Sequence, residues 1–290
     1  MSHGSTTPIV SRAHGIAVLI ATRDRDELLR SRSLPSLARQ TRVPDYVVVV
    51  NDGAPLEPIT ASAIERVPVR AAPSVLTNGQ ARGVAGAWNS GLAHLSELGH
   101  SGYVALLDDD DEWDPDHLEI NWHAATSNDA DGCVTGLRMC FGGAIEPRPF
   151  ISELRPADFL VGNPGWQGSN TFVHTRAFQA VGGFRPGLQS CNDRDLAIRL
   201  LRLPQRRWVL VPRWTATWHQ EQRPTLSSRG SSAKLEGLRQ FWSLYGREMT
   251  PAEQDQFFER SSMRFGFGRE SITRVEGRAT APSHRDEASQ

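Results

Sequence analysis

Four consecutive aspartates, Asp108 to Asp111, directly follow the apolar run Tyr103-VALL. Two carboxylates about 4 Å apart repel by roughly 4 kcal/mol at an effective dielectric of 20, so such a cluster anchored to a buried strand calls for a cation. Carboxylate oxygens suit Mn²⁺ or Mg²⁺, and Mg²⁺ takes one or two of them while completing its shell with water and phosphate oxygens. Two more apolar runs end in polar residues, Ala21-Thr22-Arg23-Asp24 and Asn51-Asp52-Gly53. Asp24 also suits a helix N-terminus, and Asp52-Gly53 a turn. A further acidic group, Asn192-Asp193-Arg194-Asp195, opens a helical pattern. Taken locally it is a helix start, with Asn192 as N-cap, Asp193 at the first helical position and Asp195 at the third.

These groups can meet only if their strands are neighbours. The first half alternates short apolar runs with helical patterns, which predicts an α/β fold with a mostly parallel central sheet flanked by helices. Strands are expected over 15–21, 46–51, 67–71 and 103–108, and helices over 26–39, interrupted at Pro35, and 83–98. Asp114-Pro115 supplies an N-cap and a first-turn proline for a helix through His123. In open α/β sheets the ligand crevice lies at the carboxyl ends of the strands, so the polar clusters are expected to converge there. The second half predicts strands over 132–141, 170–174, 208–212 and 215–218, a loop from Pro147 to Gly168, and a helix over 192–203. Two C-terminal helices complete this order, the second announced by Thr250-Pro251-Ala252-Glu253, a capping box with proline at the first position. The expected division is an N-terminal extension (1–14), a catalytic domain (15–225, its halves meeting at 125/126), C-terminal helices (226–267) and a mobile tail from Gly268.

Composition limits the partners. With 32 Lys+Arg against 33 Asp+Glu the net charge is −1, so no global field draws the chain to nucleic acid or to an anionic membrane. Lys234 is the sole lysine, a bias given no functional weight. Three cysteines without C-x-x-C spacing argue against a disulfide framework and a zinc ribbon. No apolar run is long enough to span a bilayer, and a cytoplasmic location is expected.

The blocks IAVLIATRDRDELLRSRSLPSLARQTRVPDYVVVVNDGA, NGQARGVAGAWNSGL, YVALLDDDDEWDPDHL and GGFRPGLQSCNDRDLAIRLL resemble, in order and spacing, those of glycosyltransferase family 2 with its GT-A fold. The resemblance covers roughly residues 15 to 225. It implies a transferase with a nucleotide-diphosphate-sugar donor, a UDP-sugar above all, a divalent cation (Mn²⁺ or Mg²⁺) and inversion at the anomeric carbon. Carried over by position, Thr22, Arg23 and Asp52 contact the nucleotide, and Arg82 helps with it or with the diphosphate. Asp108 and Asp109 belong to the donor site, and Asp110 is the metal ligand. Trp88 stands where the family often has arginine, next to Asn89 at the donor grip.

The same resemblance makes Asp193 the general base, with Asp195 as its fallback, and lets His219 reach the metal or the diphosphate. Asn192 replaces a common glutamate and, with Trp166, Gln167 and Asp195, is assigned to an acceptor or donor-sugar subsite. The acceptor itself is open: saccharide, lipid, natural product or peptide. Two other readings stay in play. A sugar-phosphate nucleotidylyltransferase needs a glycine-rich basic loop after the first strand, where this chain has Ala21-Thr22-Arg23-Asp24, and a non-catalytic metal- or nucleotide-binding protein would lack a working Asp193.

Overall fold

The computed structural model describes residues 15–220 and 228–274. The expected extension (1–14), the end of the tail (275–290) and part of the segment after His219 (221–227) lie outside these residues. Ile16–Thr22 (β1), Tyr46–Asn51 (β2) and Tyr103–Asp108 (β4) form the expected strands, and β1 is buried along its whole length. Continuous apolar runs are what parallel strands need when both sheet faces are covered. Ile16, Val18 and Ile20 join one core, whereas Ala17, Leu19 and Ala21 join the other, as the two-residue strand period requires.

Between β1 and β2 the chain is helical: α1 (Asp26–Leu28), a π-helical turn (Leu29–Ser33) and α2 (Leu34–Ala38). The expected break at Pro35 is thus moved upstream. Proline has no N–H and clashes with the carbonyl four residues back, and the wider π turn accommodates both before Pro35 enters the first turn of α2. α3 (Pro58–Glu65) leads to β3, which lies at Ser74–Thr77 and not at 67–71. Pro68 cannot donate to a ladder, and the register places Val48 opposite Ser74.

α4 (Val84–Glu97) precedes β4, and β5 (Glu112–Trp113) follows the aspartates. α5 (His117–Ser127) starts later than expected, with Asp116 at the cap position, because the Asp114 carboxylate is held by Arg138 at 2.6 and 2.9 Å. β6 (Gly132–Phe141) and β7 (Ala144–Pro147) form a hairpin. The long loop contains an unforeseen helix, α6 (Pro156–Val161), and a 3-10 turn (Gly168–Asn170), before β8 (Thr171–His174) and a second unforeseen helix, α7 (Thr175–Val181).

α8 (Asn192–Leu201) is followed by one long strand, β9 (Trp208–Gln220), where two were expected. Register shifts opposite Thr135–Leu137 absorb Pro212. α9 (Ser232–Tyr245) and α10 (Pro251–Phe265) follow, α10 with the capping box read from Thr250 and Glu253. α11 (Arg269–Thr273) buries Ile272, so ordered structure extends beyond the expected boundary at Gly268.

The described residues carry one sheet in the order β3-β2-β1-β4-β8-β6-β9-β5, with β7 on β6. It is parallel through β3-β2-β1-β4 and mixed beyond, and it runs without a break across the expected 125/126 division. After β3 the chain returns past β1 to build β4 on its other side, which makes the β1/β4 boundary the topological switch point. In register Ala21 lies beside both Val50 and Asp108, and Thr22 beside Asn51, so the three polar strand ends open at one level.

Candidate active site

Those strand ends floor a cleft of about 1140 Å³, closed elsewhere by the turn after α6, the start of α8, and α9 and α10. Its four aspartates are not equivalent. Asp109 is buried and accepts hydrogen bonds from Thr22 Oγ1 (2.7 Å) and Arg25 Nη1 (3.1 Å). The same Arg25 nitrogen reaches Asp110 at 2.6 Å. Asp111, also buried, accepts from Ser169 Oγ (2.6 Å) and from the His219 backbone N–H (2.9 Å). Among the described residues the Asp108 carboxylate has only Ser169 Oγ, at 3.4 Å. Gly168 lets this loop approach, since a Cβ there would lie 2.7 Å from Asp108 Oδ2.

Crowding shows in the acidities. Burial, then Asp111, Asp110 and Asp193, push the Asp108 carboxyl well above the usual carboxylate range. Burial and Asp110 do the same to Asp111, and burial lifts Asp109 to about 6 against the pull of Arg25. Asp108, Asp109 and Asp110 line the cleft and Asp111 does not; Asp109 has both oxygens engaged by Thr22 and Arg25, and Asp110 shares Arg25 with it. Among the described residues no three His, Cys, Asp or Glu side chains close around one point. A cation fits here as Mg²⁺ usually binds, on one or two carboxylates with the remainder of its shell from phosphate and water. The observation in favour is that Asp108 is crowded by carboxylates and forms no ion pair with a cationic side chain among the described residues. His219 lines the same cleft, its Nε2 3.4 Å from Glu112 Oε1.

At the other end of the cleft Asp52 accepts from Asn78 Nδ2 (2.6 Å) and from the Gly83 N–H (2.8 Å), so it pins the loop leading into α4. Arg23 Nη1 lies 4.0 Å from it, and Arg82, exposed, lines the opening. Asp24, at a left-handed φ of 54°, accepts from the Ala54 N–H and ties the turn after β1 to the turn after β2. Thr22 thus serves Asp109 through its hydroxyl.

Asp193 faces the same cleft. The helix start differs from the expected one: Cys191, at a left-handed φ of 66°, takes the cap position and Asn192 begins the helix. Asn192 caps nothing, because its Oδ1 is buried without a hydrogen-bond partner among the described residues. Trp88 Nε1, on the cleft wall, is in the same condition. Burial lifts the Asp193 carboxyl to about 6, opposed by the ammonium of Lys234.

Three candidates are not brought to the cleft in the expected role. Trp166 is buried against Phe159 and Trp208, its Nε1 donating to Thr171 Oγ1 at 2.9 Å, which makes it core. Gln167 does line the cleft, while capping the 3-10 turn. Asn89 exchanges two 2.8 Å hydrogen bonds with the backbone of Phe184 and so brackets the turn before α8. Asp195 is fully buried, holding Arg185 Nε (2.8 Å), Arg199 Nε (2.8 Å) and Tyr245 OH (2.7 Å), and it is withdrawn as a base. Sequence reasoning missed Arg25, Ser169 and Lys234. Only Lys234 carried a signal, as the chain's one lysine.

Residues 17–182 match the family described as glycosyl transferase family 2. The chain belongs to that family. The succinoglycan biosynthesis protein ExoW of Rhizobium meliloti (strain 1021) is 33% identical over 165 residues, 52% of this chain and 49% of that protein. The chain thus matches about half the length of this curated relative. S. aureus TarS in complex with UDP-GlcNAc superposes with a TM-score of 0.60 at 17% identity, over 88% of this chain and 74% of that one. The mannosyltransferase PcManGT from Pyrobaculum calidifontis, in complex with GDP-Man and Mn²⁺, gives 0.54 at 19% identity, over 87% and 70%. These likenesses show the GT-A fold. Among the described residues no helix is long and apolar enough to cross a membrane.

Proposed function

We propose that this family 2 chain transfers a sugar, with inversion, from a nucleotide-diphosphate donor, a UDP-sugar, to an acceptor hydroxyl deprotonated by Asp193. The observation that carries this reading is a single one: Asp193, its carboxyl lifted to about 6, faces the cleft that also holds the carboxylate-crowded Asp108 at the β1/β4 switch point. The complexes of TarS with UDP-GlcNAc and of PcManGT with GDP-Man and Mn²⁺ support the donor class. Asp108 and Asp110 would hold Mn²⁺ or Mg²⁺, and His219 stands on the same wall. Bound there, a divalent cation neutralises the charge that collects on the departing diphosphate. Arg23 and Arg82 add cationic donors at the nucleotide end. Trp88 and Asn192 line the same cleft, each with a buried polar atom that has no hydrogen-bond partner among the described residues. In the transfer itself the acceptor oxygen bonds to the anomeric carbon, its proton passes to Asp193, and the bond to the diphosphate oxygen breaks with its electron pair.

Asp110→Ala tests the metal assignment. It is expected to weaken UDP binding at least tenfold in Mn²⁺ and to leave the weaker binding in EDTA unchanged, as read by calorimetry. Equal affinities of variant and wild type in Mn²⁺ would reject it. Asp52→Ala, which frees the loop at Asn78 and Gly83, is expected to cost about 1.5 to 3 kcal/mol of UDP affinity, the range for hydrogen bonds to a charged group. An unchanged UDP Kd would reduce Asp52 to turn chemistry.

A further inference from the structure

Arg260 and Arg264 line the cleft one helical turn apart on α10. Like charges at this spacing repel along a helix. Several other part-buried arginines are paired, Arg25 with Asp109 and Asp110, Arg138 with Asp114, and Arg185 and Arg199 with Asp195. Arg260 and Arg264 have no carboxylate partner among the described residues. Arg148 and Arg194 add to the same field: burial and then the charges of Arg264 and Arg260 hold the Arg148 guanidinium below its usual value, and Arg260 also acts on Arg194. Arg194 is occupied with the carbonyls of Phe159 and Leu160, which leaves the α10 pair as the free donors on the wall.

Lys234 links this wall to the proposed base. It lines the cleft beside them, donates to Ser190 Oγ at 2.9 Å, and acts electrostatically on Asp193. The cleft thus carries cations on the wall formed by α9 and α10, Lys234, Arg260 and Arg264, and carboxylates at the strand ends and at Asp193. Guanidinium pairs hold oxyanions through charge-assisted, often bidentate hydrogen bonds, which no neutral sugar can match.

Resting on the assignment of Asp193 as base, we propose that the acceptor is anionic, a hydroxyl-bearing phosphate or carboxylate whose oxyanion is held by Arg260 and Arg264 while its hydroxyl is presented to Asp193. Calorimetry on the full chain, first saturated with UDP and Mg²⁺ so that the diphosphate position is filled, tests this. The probes are glycerol 3-phosphate against glycerol and glucuronate against glucose. At least one anionic probe is expected to bind tenfold or more tightly than its neutral counterpart, and the tighter one identifies phosphate or carboxylate. The Arg260→Gln/Arg264→Gln double variant is expected to lose that preference with UDP affinity within twofold of wild type. Arg264→Gln alone, at an exposed position, lowers it in part, and Arg264→Lys recovers some of the loss. Equal binding of charged and neutral probes, or a preference that survives in the double variant, overturns the proposal. So does a parallel loss of UDP affinity, which would assign the arginines to the donor diphosphate. All three results leave the transferase reading standing, whereas a wild-type chain that binds no UDP overturns both.

Discussion

Asp193→Asn is expected to lower kcat for sugar transfer by 10² to 10⁴-fold and to leave UDP-sugar affinity within about twofold, because a base acts only as the acceptor attacks. Its pH dependence follows from the acidity. Only the carboxylate can take the proton, and the carboxyl lies at about 6, so wild-type transfer falls about tenfold per unit below that value and is level above it. The asparagine variant has no such limb. Stability carries the opposite sign. An ordinary aspartate titrates at 3.8 and this one at about 6, so the ionised form is disfavoured by the fold, with an upper bound of about 3 kcal/mol at 1.36 kcal/mol per unit. That penalty is fully present above pH 6 and disappears as pH falls towards the unfolded value, where both states are protonated. Asp193→Asn is therefore expected to raise the Tm at pH 7.5, a gain that shrinks at pH 4. A helix-start role predicts the reverse, a lower Tm with transfer untouched. Single-turnover transfer and melting measured on one sample separate the two, and near-normal transfer would remove Asp193 as the base.

The strand ends were legible because each apolar run stops abruptly at polar residues, and the register of β1 with β2 and β4 does bring Thr22, Asn51 and Asp108 to one level. The family blocks added the place of Asp193. Partner choice was not legible. Nothing around Asp109 in the sequence says that Thr22 and Arg25, more than 80 residues earlier, take both its oxygens. Asn89 has the composition of a ligand-binding residue and is instead used by the backbone of Phe184, 95 positions away. The displaced β3 has a local cause, Pro68, which interrupts the expected strand between Val67 and Val69. Arg260 and Arg264 stand four apart on a helix, but only the tertiary fold shows that no acid among the described residues pairs with them.

Asp195 separates packing from chemistry, because it sits two residues from the proposed base with the same functional group. Asp195→Ala is expected to cost about 3 to 5 kcal/mol of folding stability, the loss typical when one member of a buried ion cluster is removed. Its carboxylate holds Arg185 and Arg199 and receives the Tyr245 hydroxyl, and Arg199 in turn donates to the carbonyls of Val181 and Gly183. One side chain thereby fastens α8 to the turn before it and to α9. Removing it strands two guanidinium groups that have no other carboxylate partner among the described residues and frees the turn that leads into α8. Burial and the Asp195 charge push the Tyr245 phenol up to about 12, so it stays a donor across the working pH range and Tyr245→Phe is expected to lose only about 1 to 2 kcal/mol. Urea unfolding of the two single variants and of the double gives their coupling, expected to be 0.5 kcal/mol or more for groups in one network. Asp195→Asn, which keeps the volume, completes the contrast: it is expected to melt below wild type yet to transfer sugar at close to the wild-type rate in its folded fraction. A folded Asp195→Asn with an unchanged Tm and a kcat as low as that of Asp193→Asn would move the base by two residues.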